Sequence, residues 1–291
     1  MNLPMPISRL FMILLVAVLA LLLVLETARP LRRPKRRRGQ RFPVNIFLTA
    51  LAFAAGSLVV RPAALGLAFW AQDHSLGLSH LLLPSFPWAQ TALGIIWMDL
   101  TFYYWHRFNH LRPLLWRFHN VHHVDPDLDV TTSFRFHFGE VLYSTPFRVL
   151  QVGLFGVSPA TYLLYEFLFN CATMFHHSNV RLPLALERLL NKVLVTPRMH
   201  GIHHSAVGPE TNSNYSVVFS CWDRLNSSLR LNVPQAEVII GVPAYLRPGD
   251  NRLARLLQLP ILRQRSYWRF PSGKAARRRY PPEILASAML E

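Results

Sequence analysis

The sequence His106-Arg-Phe-Asn-His110 is followed by two further clusters, His119-Asn-Val-His122-His123 and His200-Gly-Ile-His203-His204. Eleven of the thirteen histidines lie between residues 106 and 204. Residues three and four positions apart share one face of an α-helix, so each cluster predicts a helix that presents two or three imidazoles to one point. A lone histidine is ordinarily a hydrogen-bonded core or surface residue, but this repeated pattern predicts metal ligands.

The three clusters together supply eight imidazoles. Neutral imidazole binds zinc, iron, copper and nickel, and eight nitrogens exceed what a single four- to six-coordinate ion can use. The clusters therefore predict two metal ions.

The composition indicates a membrane protein. Hydrophobic residues make up 51% of the chain and the mean hydropathy is +0.20, which is unusual for a soluble protein. The net charge of +16 is concentrated, with eight Lys/Arg in residues 29–41 and ten in residues 247–279. Such runs also occur in nucleic-acid-binding proteins. Between apolar spans they favour cytoplasmic loops and contact with anionic lipid, so we expect no nucleic-acid partner.

Apolar runs predict several membrane spans. Residues 10–25 form the first, and because its positive charge follows the apolar run we expect an uncleaved span with its N-terminus outside. Further spans are predicted at residues 43–60 and 88–105, followed by a hairpin with arms at residues 141–156 and 160–175. This topology brings all eleven clustered histidines to the cytoplasmic side.

Three features outside the clusters complete the expected topology. Arg61-Pro62 should interrupt the second span and begin a short interfacial or re-entrant helix at residues 63–71. His74 and His80 fall on the outer side, where we expect structural or solvent-exposed roles. Residues 252–268 alternate Leu/Ile with Arg, which is equally compatible with a helix on the membrane surface and with a partly disordered tail.

The predicted fold is all-α: a polytopic helical membrane protein with a cytoplasmic, histidine-rich helical cap. We divide the chain into three regions. Residues 1–98 hold the N-terminal spans and the basic loop, residues 99–230 the histidine-rich catalytic region with its hairpin, and residues 231–291 a basic tail.

The chemistry of the clusters is indicated by their neighbours. Hydrolytic two-metal sites usually add bridging carboxylates and a general base, whereas no carboxylate lies within a histidine cluster here. Neutral imidazoles close to lipid-facing spans favour iron and dioxygen. A zinc-dependent membrane hydrolase and a non-enzymatic metal transporter or store remain as alternatives, although a transporter should place its ligands near the midplane of its spans.

Two further motifs accompany the clusters. Arg135-Phe-His137-Phe-Gly-Glu140 and Phe175-His-His177-Ser-Asn179 lie between the second and third clusters, and the third cluster follows Thr196-Pro-Arg-Met. With the clusters in this order, the region of about residues 99–230 resembles the fatty acid hydroxylase and sterol desaturase superfamily. The resemblance implies an integral-membrane, non-haem di-iron oxygenase of helical fold. Such an enzyme hydroxylates or desaturates a fatty acyl, sterol or related lipid with dioxygen.

The resemblance also implies ten metal-ligating histidines. They are the eight of the clusters, which we expect to carry catalysis, and one from each further motif: His106, His110, His119, His122, His123, His137, His177, His200, His203 and His204. His176 should point about 100° away from His177 on a helix, so we assign it a supporting or incidental role. Phe138 stands where the superfamily usually has a proline, which leaves His137 in an unusual setting.

Other residues are candidates to support the ligands. Glu140, Asn179 and Asn214 could orient ligand imidazoles through the ring nitrogen that does not bind metal, and ordinary capping or solvent exposure is an equally good interpretation of each. Aromatic residues are candidates for an apolar slot that holds a lipid near the metals, although core packing is their more usual role: Phe134, Phe136, Phe138 and Tyr215.

The sequence contains no haem-binding module, Gly-rich dinucleotide motif or CxxC iron–sulfur pattern. We therefore expect the electrons to come from a separate electron-transfer protein, docking on the basic face. The expected cofactors are two iron ions, with dioxygen as co-substrate. Zinc can displace iron during purification because it binds nitrogen sites more tightly.

Overall fold

The computed structural model describes residues 5–278, with side chains from residue 9 onward. Within these residues the fold is all-helical, as predicted, and extended backbone pairs only at four isolated bridges. The α-helices in chain order are α1 Met5–Ala28, α2 Arg38–Ala55, α3 Arg61–Asp73, α4 Leu78–Leu82, α5 Pro87–Leu111, α6 Pro113–His123, α7 Phe138–Tyr143, α8 Thr145–Phe155, α9 Pro159–His177, α10 Leu184–Asn191, α11 Pro197–His203, α12 Gly208–Thr211, α13 Cys221–Leu225 and α14 Leu253–Gln258.

Among residues 5–278, two helical segments are long and apolar enough to cross a membrane by length and composition, Arg9–Ala28 and Arg38–Leu82. The first is rich in Leu, Val and Ala and ends at Ala28, because Pro30 disfavours a helical conformation of the residue before it. Both segments expose large apolar side chains: Ile13 is 65% exposed and Leu58 is 78% exposed. Such apolar surface marks a face that contacts something other than water.

Arg61-Pro62 does not interrupt the second segment, contrary to the prediction. α2 continues through a π-helical turn, Gly56–Val60, directly into α3. Proline lacks an N–H and clashes with the carbonyl four residues earlier, and an extra residue in the preceding turn changes which backbone groups face it. Residues 63–71 therefore belong to a long helix rather than to a separate interfacial one.

The predicted hairpin also differs from the structure. Its first arm is divided into α7 and the 11-residue α8, and α8 is only about 16 Å long, which is too short to cross about 30 Å of hydrocarbon. The second arm is the 19-residue α9. α8 packs along α3, and α9 packs along α1 and α5.

A buried carboxylate joins α5 to the C-terminal half of the chain. Asp99 is 1% exposed and accepts four hydrogen bonds, from Tyr165 Oη (3.2 Å), the backbone N–H groups of Val218 (3.3 Å) and Phe219 (3.0 Å), and Trp222 Nε1 (2.8 Å). A buried charge is tolerated when hydrogen bonds surround it in this way. The network fixes residues 215–222 beside α5, where the histidines lie.

A second ionic network joins the start of α2 to the segment after α6. Arg41 donates two hydrogen bonds to Asp125, at 2.9 and 2.8 Å, and also pairs with Asp129. Asp127 accepts from the backbone N–H groups of Lys35 (2.6 Å) and Arg36 (3.0 Å). The basic loop between α1 and α2, residues 29–37, is thereby attached to the segment that follows the second histidine cluster.

The basic tail is packed as far as residue 278, so neither a long surface helix nor a disordered segment describes it. α14 has six residues and is followed closely by Pro260, which cannot continue a helix. Leu256 and Leu259 are buried in a core with Trp116 and Tyr245. The Leu/Arg alternation therefore arises because the leucine side of this segment packs against the rest of the protein. Residues 279–291 of the predicted tail lie outside the described residues.

Candidate metal centre

Each histidine cluster lies at the C-terminal end of a helix. His106 and His110 are in the last turns of α5, His122 and His123 end α6, and His177 ends α9. The C-terminal end of a helix carries partial negative charge, which favours a cation there. Four helices end near one another, close to the start of α2: α1, α5, α6 and α9. The clusters therefore meet at one end of the helical bundle.

The first of two imidazole groups has five members. Each offers one ring nitrogen, and these nitrogens all lie within 4.8 Å of one another; the members are His106, His110, His119, His123 and His203. All five side chains are buried. In four of them, all except His106, the Nε2 atom is buried without a hydrogen-bond partner. Leaving a buried polar atom unpaired costs about 1–3 kcal/mol, so this concentration of unpaired nitrogens fits a metal ion.

The opposite ring nitrogens of three of these residues are held by hydrogen bonds. Nδ1 of His106 donates to the Tyr215 carbonyl and Nδ1 of His203 to the Ser213 carbonyl, both at 2.7 Å. Nδ1 of His119 lies 2.7 Å from Glu140 Oε1. A proton fixed on Nδ1 leaves the Nε2 lone pair free, which is how ligand imidazoles are oriented around a metal.

The second group has four members, His122, His177, His200 and His204. Their Nε2 atoms are separated by 3.0 Å from His122 to His177, 3.0 Å from His177 to His200 and 3.1 Å from His200 to His204. Two nitrogens that are each about 2.1 Å from one ion lie about 3.0 Å apart when they meet it at a right angle. The donor set and its spacing therefore fit a second metal ion.

The division into two groups follows from helix geometry. Residues four apart on a helix point in nearly the same direction, whereas adjacent residues diverge by about 100°. The i,i+4 pair His119 and His123 accordingly stays together while His122 joins the other group. In the same way His200 and His204 stay together while His203 joins the first group.

Burial keeps these imidazoles in the ligating form. Burial, and next the neighbouring imidazoles, lower the pKa values of five of them well below the ordinary value: His122, His123, His200, His203 and His204. A buried imidazole that cannot be solvated loses its charge. The rings are therefore neutral at physiological pH, which is the state that binds metals.

His137 lies outside both groups, although it was among the ten predicted ligands. Its Nδ1 accepts a hydrogen bond from the Gly139 N–H at 3.0 Å, where it caps the start of α7. Its Nε2 donates to the Leu257 carbonyl at 3.1 Å. Both ring nitrogens are therefore occupied by backbone groups.

His176 also lies outside the two groups, as predicted from its 100° offset. Its ring packs against that of His200, with centroids 4.1 Å apart, and its Nδ1 donates to the Val217 carbonyl at 3.1 Å. His74 is exposed and bonds the Trp70 carbonyl, and His80 packs beside Gly156. The structure thus brings together nine of the ten predicted ligands.

Of the three predicted supporting residues, Glu140 alone contacts a ligand ring. Asn179 bonds the backbone of Arg32 instead, and Asn214 donates to the carbonyls of Met199 (2.9 Å) and Arg230 (2.7 Å). The carbonyls of Tyr215 and Ser213 hold ligand rings but were missed, because a backbone partner leaves no residue-type signal in a sequence.

Aromatic side chains cover the two groups. Phe136 stacks on the ring of His122, with centroids 4.5 Å apart, and Tyr215 packs edge-on to the ring of His110 at 5.3 Å. Of the four predicted slot residues, these two border the centre. Phe134 instead packs in a core with α1, and Phe138 is 38% exposed.

Comparison with known proteins agrees with this geometry. The fatty acid hydroxylase family matches residues 91–228. The ornithine lipid hydroxylase OlsE of Rhizobium tropici is 26% identical over 85% of this chain and 75% of its own. Alkylglycerol monooxygenase of Danio rerio is 26% identical over 79% of this chain and 50% of its own, and cholesterol 25-hydroxylase of Homo sapiens is 27% identical over 47% and 49%.

No solved structure matches the chain. The matched region contains all eleven clustered histidines, including the nine that the fold gathers into two groups. Residues 91–228, a little under half of the chain, are therefore similar to the fatty acid hydroxylase family and to these lipid hydroxylases and monooxygenases.

Proposed function

We propose that this protein is a membrane-bound oxygenase that hydroxylates a lipid at a centre of two iron ions. The nine imidazoles of the two groups would hold the metals: His106, His110, His119, His123 and His203 the first, and His122, His177, His200 and His204 the second. The observation that carries the proposal is this pair of buried donor sets made only of imidazole nitrogens. Their contact supports adjacent ions, since the rings of His123 and His204 stack at 4.3 Å.

Iron bound in these groups would supply dioxygen activation. The overall reaction inserts one oxygen atom into a C–H bond and reduces the other to water, consuming two electrons and two protons. The protein's own residues orient the ligand rings, through the Tyr215 and Ser213 carbonyls and Glu140. Phe136 and Tyr215 exclude water from the rings that they cover.

The relatives favour hydroxylation over desaturation, since those named above are hydroxylases or monooxygenases of lipids. None of them supports the hydrolase or the transporter alternative. A hydrolytic mechanism would also need a carboxylate free to act as general base. Glu140 contacts a ligand ring, but its carboxylate is engaged with Nδ1 of His119, the ring nitrogen opposite the one offered to a metal.

We further propose that the chain is a multi-pass membrane protein with its metal centre at the cytoplasmic side. The two apolar segments and their exposed side chains support membrane insertion. The loop of residues 29–37 is strongly basic, and basic loops remain in the cytoplasm. Since Arg32 in this loop bonds the Pro197 carbonyl, the loop and the third cluster lie on one side. The electrons would come from a separate protein.

Lipid analysis after expression in a bacterial host tests the activity. We expect a lipid product heavier by one oxygen atom, whose added oxygen derives from isotopically labelled dioxygen. His200→Ala should abolish the product, whereas His74→Ala, a matched change at an exposed histidine, should leave it. Label arriving from water would favour the hydrolase, and unchanged lipids in a host supplied with iron and oxygen would contradict the proposal.

Cysteine labelling tests the topology. Arg33→Cys lies in the basic loop and Leu76→Cys lies beyond α3, and both positions are exposed. We expect a membrane-impermeant reagent to label only the second in intact cells and both after permeabilisation. Labelling of both positions in intact cells would overturn the proposed orientation.

A further inference from the structure

The basic loop of residues 29–37 is attached to the end of α9. Asn179, two residues after His177, accepts a hydrogen bond from the Arg32 N–H at 2.9 Å and donates to the Arg32 carbonyl at 2.8 Å. The Leu31 N–H donates to the Asn179 carbonyl at 2.7 Å. These three bonds make the loop and the end of α9 one rigid unit, because both polar ends of the Asn179 amide and its backbone are engaged.

The side chain of Arg32 reaches a different segment. Its Nη2 donates to the carbonyl of Pro197, the first residue of α11, at 3.0 Å, and also bonds Gln235 Oε1. Gln235 in turn donates through Nε2 to the Arg198 carbonyl at 3.1 Å. Arg32 therefore holds the start of α11 both directly and through Gln235.

The guanidinium lies directly against the backbone of α11. A Cβ atom built on Gly201 would lie 1.7 Å from Arg32 Nη2. Gly201 is helical and needs no glycine for its own conformation, so the space taken by Arg32 is what excludes a side chain there. The contact falls between His200 and His203, on the helix that carries both.

The position of the guanidinium is electrostatically costly. Its Nε and Nη1 atoms are buried without a protein acceptor, and burial lowers the pKa of Arg32 to about 10, which leaves it charged at neutral pH. A buried N–H without an acceptor is destabilising. An uncharged side chain would fill the space at lower cost, so the distinctive contribution of arginine is its hydrogen bonding to Pro197 and Gln235.

We propose that Arg32 is a positioning residue for the second imidazole group. It links the end of α9, which supplies His177, to α11, which supplies His200 and is followed directly by His204. These two segments meet inside the group at the 3.0 Å contact between His177 and His200. This inference rests on the proposed function, since it assumes that the groups bind metal. A shift of α11 displaces two of the four nitrogens of the second group but one of the five of the first.

Cobalt titration of the purified protein provides the test. Cobalt(II) binds imidazole sites, and its absorption reports on the coordination of each ion. His110→Ala and His204→Ala identify which binding event belongs to which group. We expect Arg32→Ala to weaken the event of the second group by about 10–100-fold, as for loss of a residue that orients ligands. The first event should change little, and Arg32→Lys should recover part of the loss.

Gly201 supplies an independent variant. Gly201→Ala should reproduce the Arg32→Ala defect although Arg32 is present, because the new methyl group displaces the guanidinium. In the double variant the clash is gone, so its cobalt affinity should equal that of Arg32→Ala alone; this strong non-additivity is expected only for residues in contact. Arg33→Ala, an exposed neighbour in the same loop, is the matched control and should bind both ions normally.

The outcomes separate this inference from the proposed function. Failure of the unaltered protein to bind two cobalt ions would contradict the proposed function itself. Two normal binding events in Arg32→Ala with only a lower unfolding temperature would show a merely structural contact and overturn the inference, as would equal losses at both groups. If Arg32→Ala does not fold, Arg32→Lys and Gly201→Ala decide by the same criterion.

Discussion

Replacing His137 tests which histidines form the centre. In the structure His137 caps α7 through Nδ1 and donates through Nε2 to Leu257. Losing an N-terminal cap costs about 0.5–2 kcal/mol, and losing a hydrogen bond costs about 0.5–1.5 kcal/mol. We therefore expect His137→Ala to lower the free energy of unfolding by about 1–3 kcal/mol while the protein retains two metals per chain. His137→Asn should recover roughly 1 kcal/mol, since asparagine is a good cap.

Metal content per chain and thermal unfolding in detergent measure the two effects separately. His123→Ala is the positive control, since its ring belongs to the first group, and it should lose or weaken one metal. His74→Ala is the neutral control. The reasoning would be refuted by a His137→Asn protein that is as stable as the unaltered one but holds a single metal, because this would make the imidazole a ligand rather than a cap.

Three further changes test the surroundings of the centre. Glu140→Gln keeps a hydrogen-bond acceptor for His119 but removes the negative charge, so affinity for the metal of the first group should fall about tenfold, and by more in Glu140→Ala. Metal competition titrations measure this affinity. Equal affinities in the unaltered protein, Glu140→Gln and Glu140→Ala would contradict the expectation. Arg41→Ala leaves the carboxylates of Asp125 and Asp129 buried without their cation, so the free energy of unfolding should fall by about 3–5 kcal/mol, as measured by chemical denaturation. A loss below about 1 kcal/mol would show that water solvates these carboxylates. Burial opposes the ionisation of Asp125, but Arg41 and Arg135 lower the pKa of its carboxyl group to about 2. The ionised Asp125 therefore stabilises the fold fully above about pH 4, and this contribution disappears as the pH falls through 2. Asp125→Asn should accordingly reduce the pH dependence of the free energy of unfolding in that range.

The histidine pattern was sufficient to predict that the clusters lie on helices, because the pattern is local. An HxxHH cluster on a helix fixes the directions of three rings whatever the rest of the chain does. His119 and His123 could therefore be assigned to one point from spacing alone. By the same helix geometry, the adjacent residues His203 and His204 point in different directions. Which of the two groups each ring joins depends on the tertiary structure.

The remaining differences arise from tertiary contacts that a pattern does not encode. His137 matches a superfamily position, yet its nitrogens are taken by Gly139 and by Leu257, which is 120 residues away. The Leu/Arg alternation of the tail is typical of a surface helix, but Leu256 is buried in a core that also contains Trp116. Pro62 predicts a break in the helix, but the π-helical turn before it accommodates the proline within a continuous helix.

The attachment of the basic loop has a consequence for the order in which the protein is made. Arg41 precedes Asp125 by 84 residues, and Arg32 precedes Asn179 by 147. At about 5–20 residues per second, Arg32 is synthesised roughly 7–30 seconds before Asn179. During that interval the six cations of the loop have water as a partner and, in the proposed membrane setting, anionic headgroups as well, before Asp125 and Asp127 are made. The two imidazole groups are completed late, when α11 packs against a loop that was synthesised directly after α1.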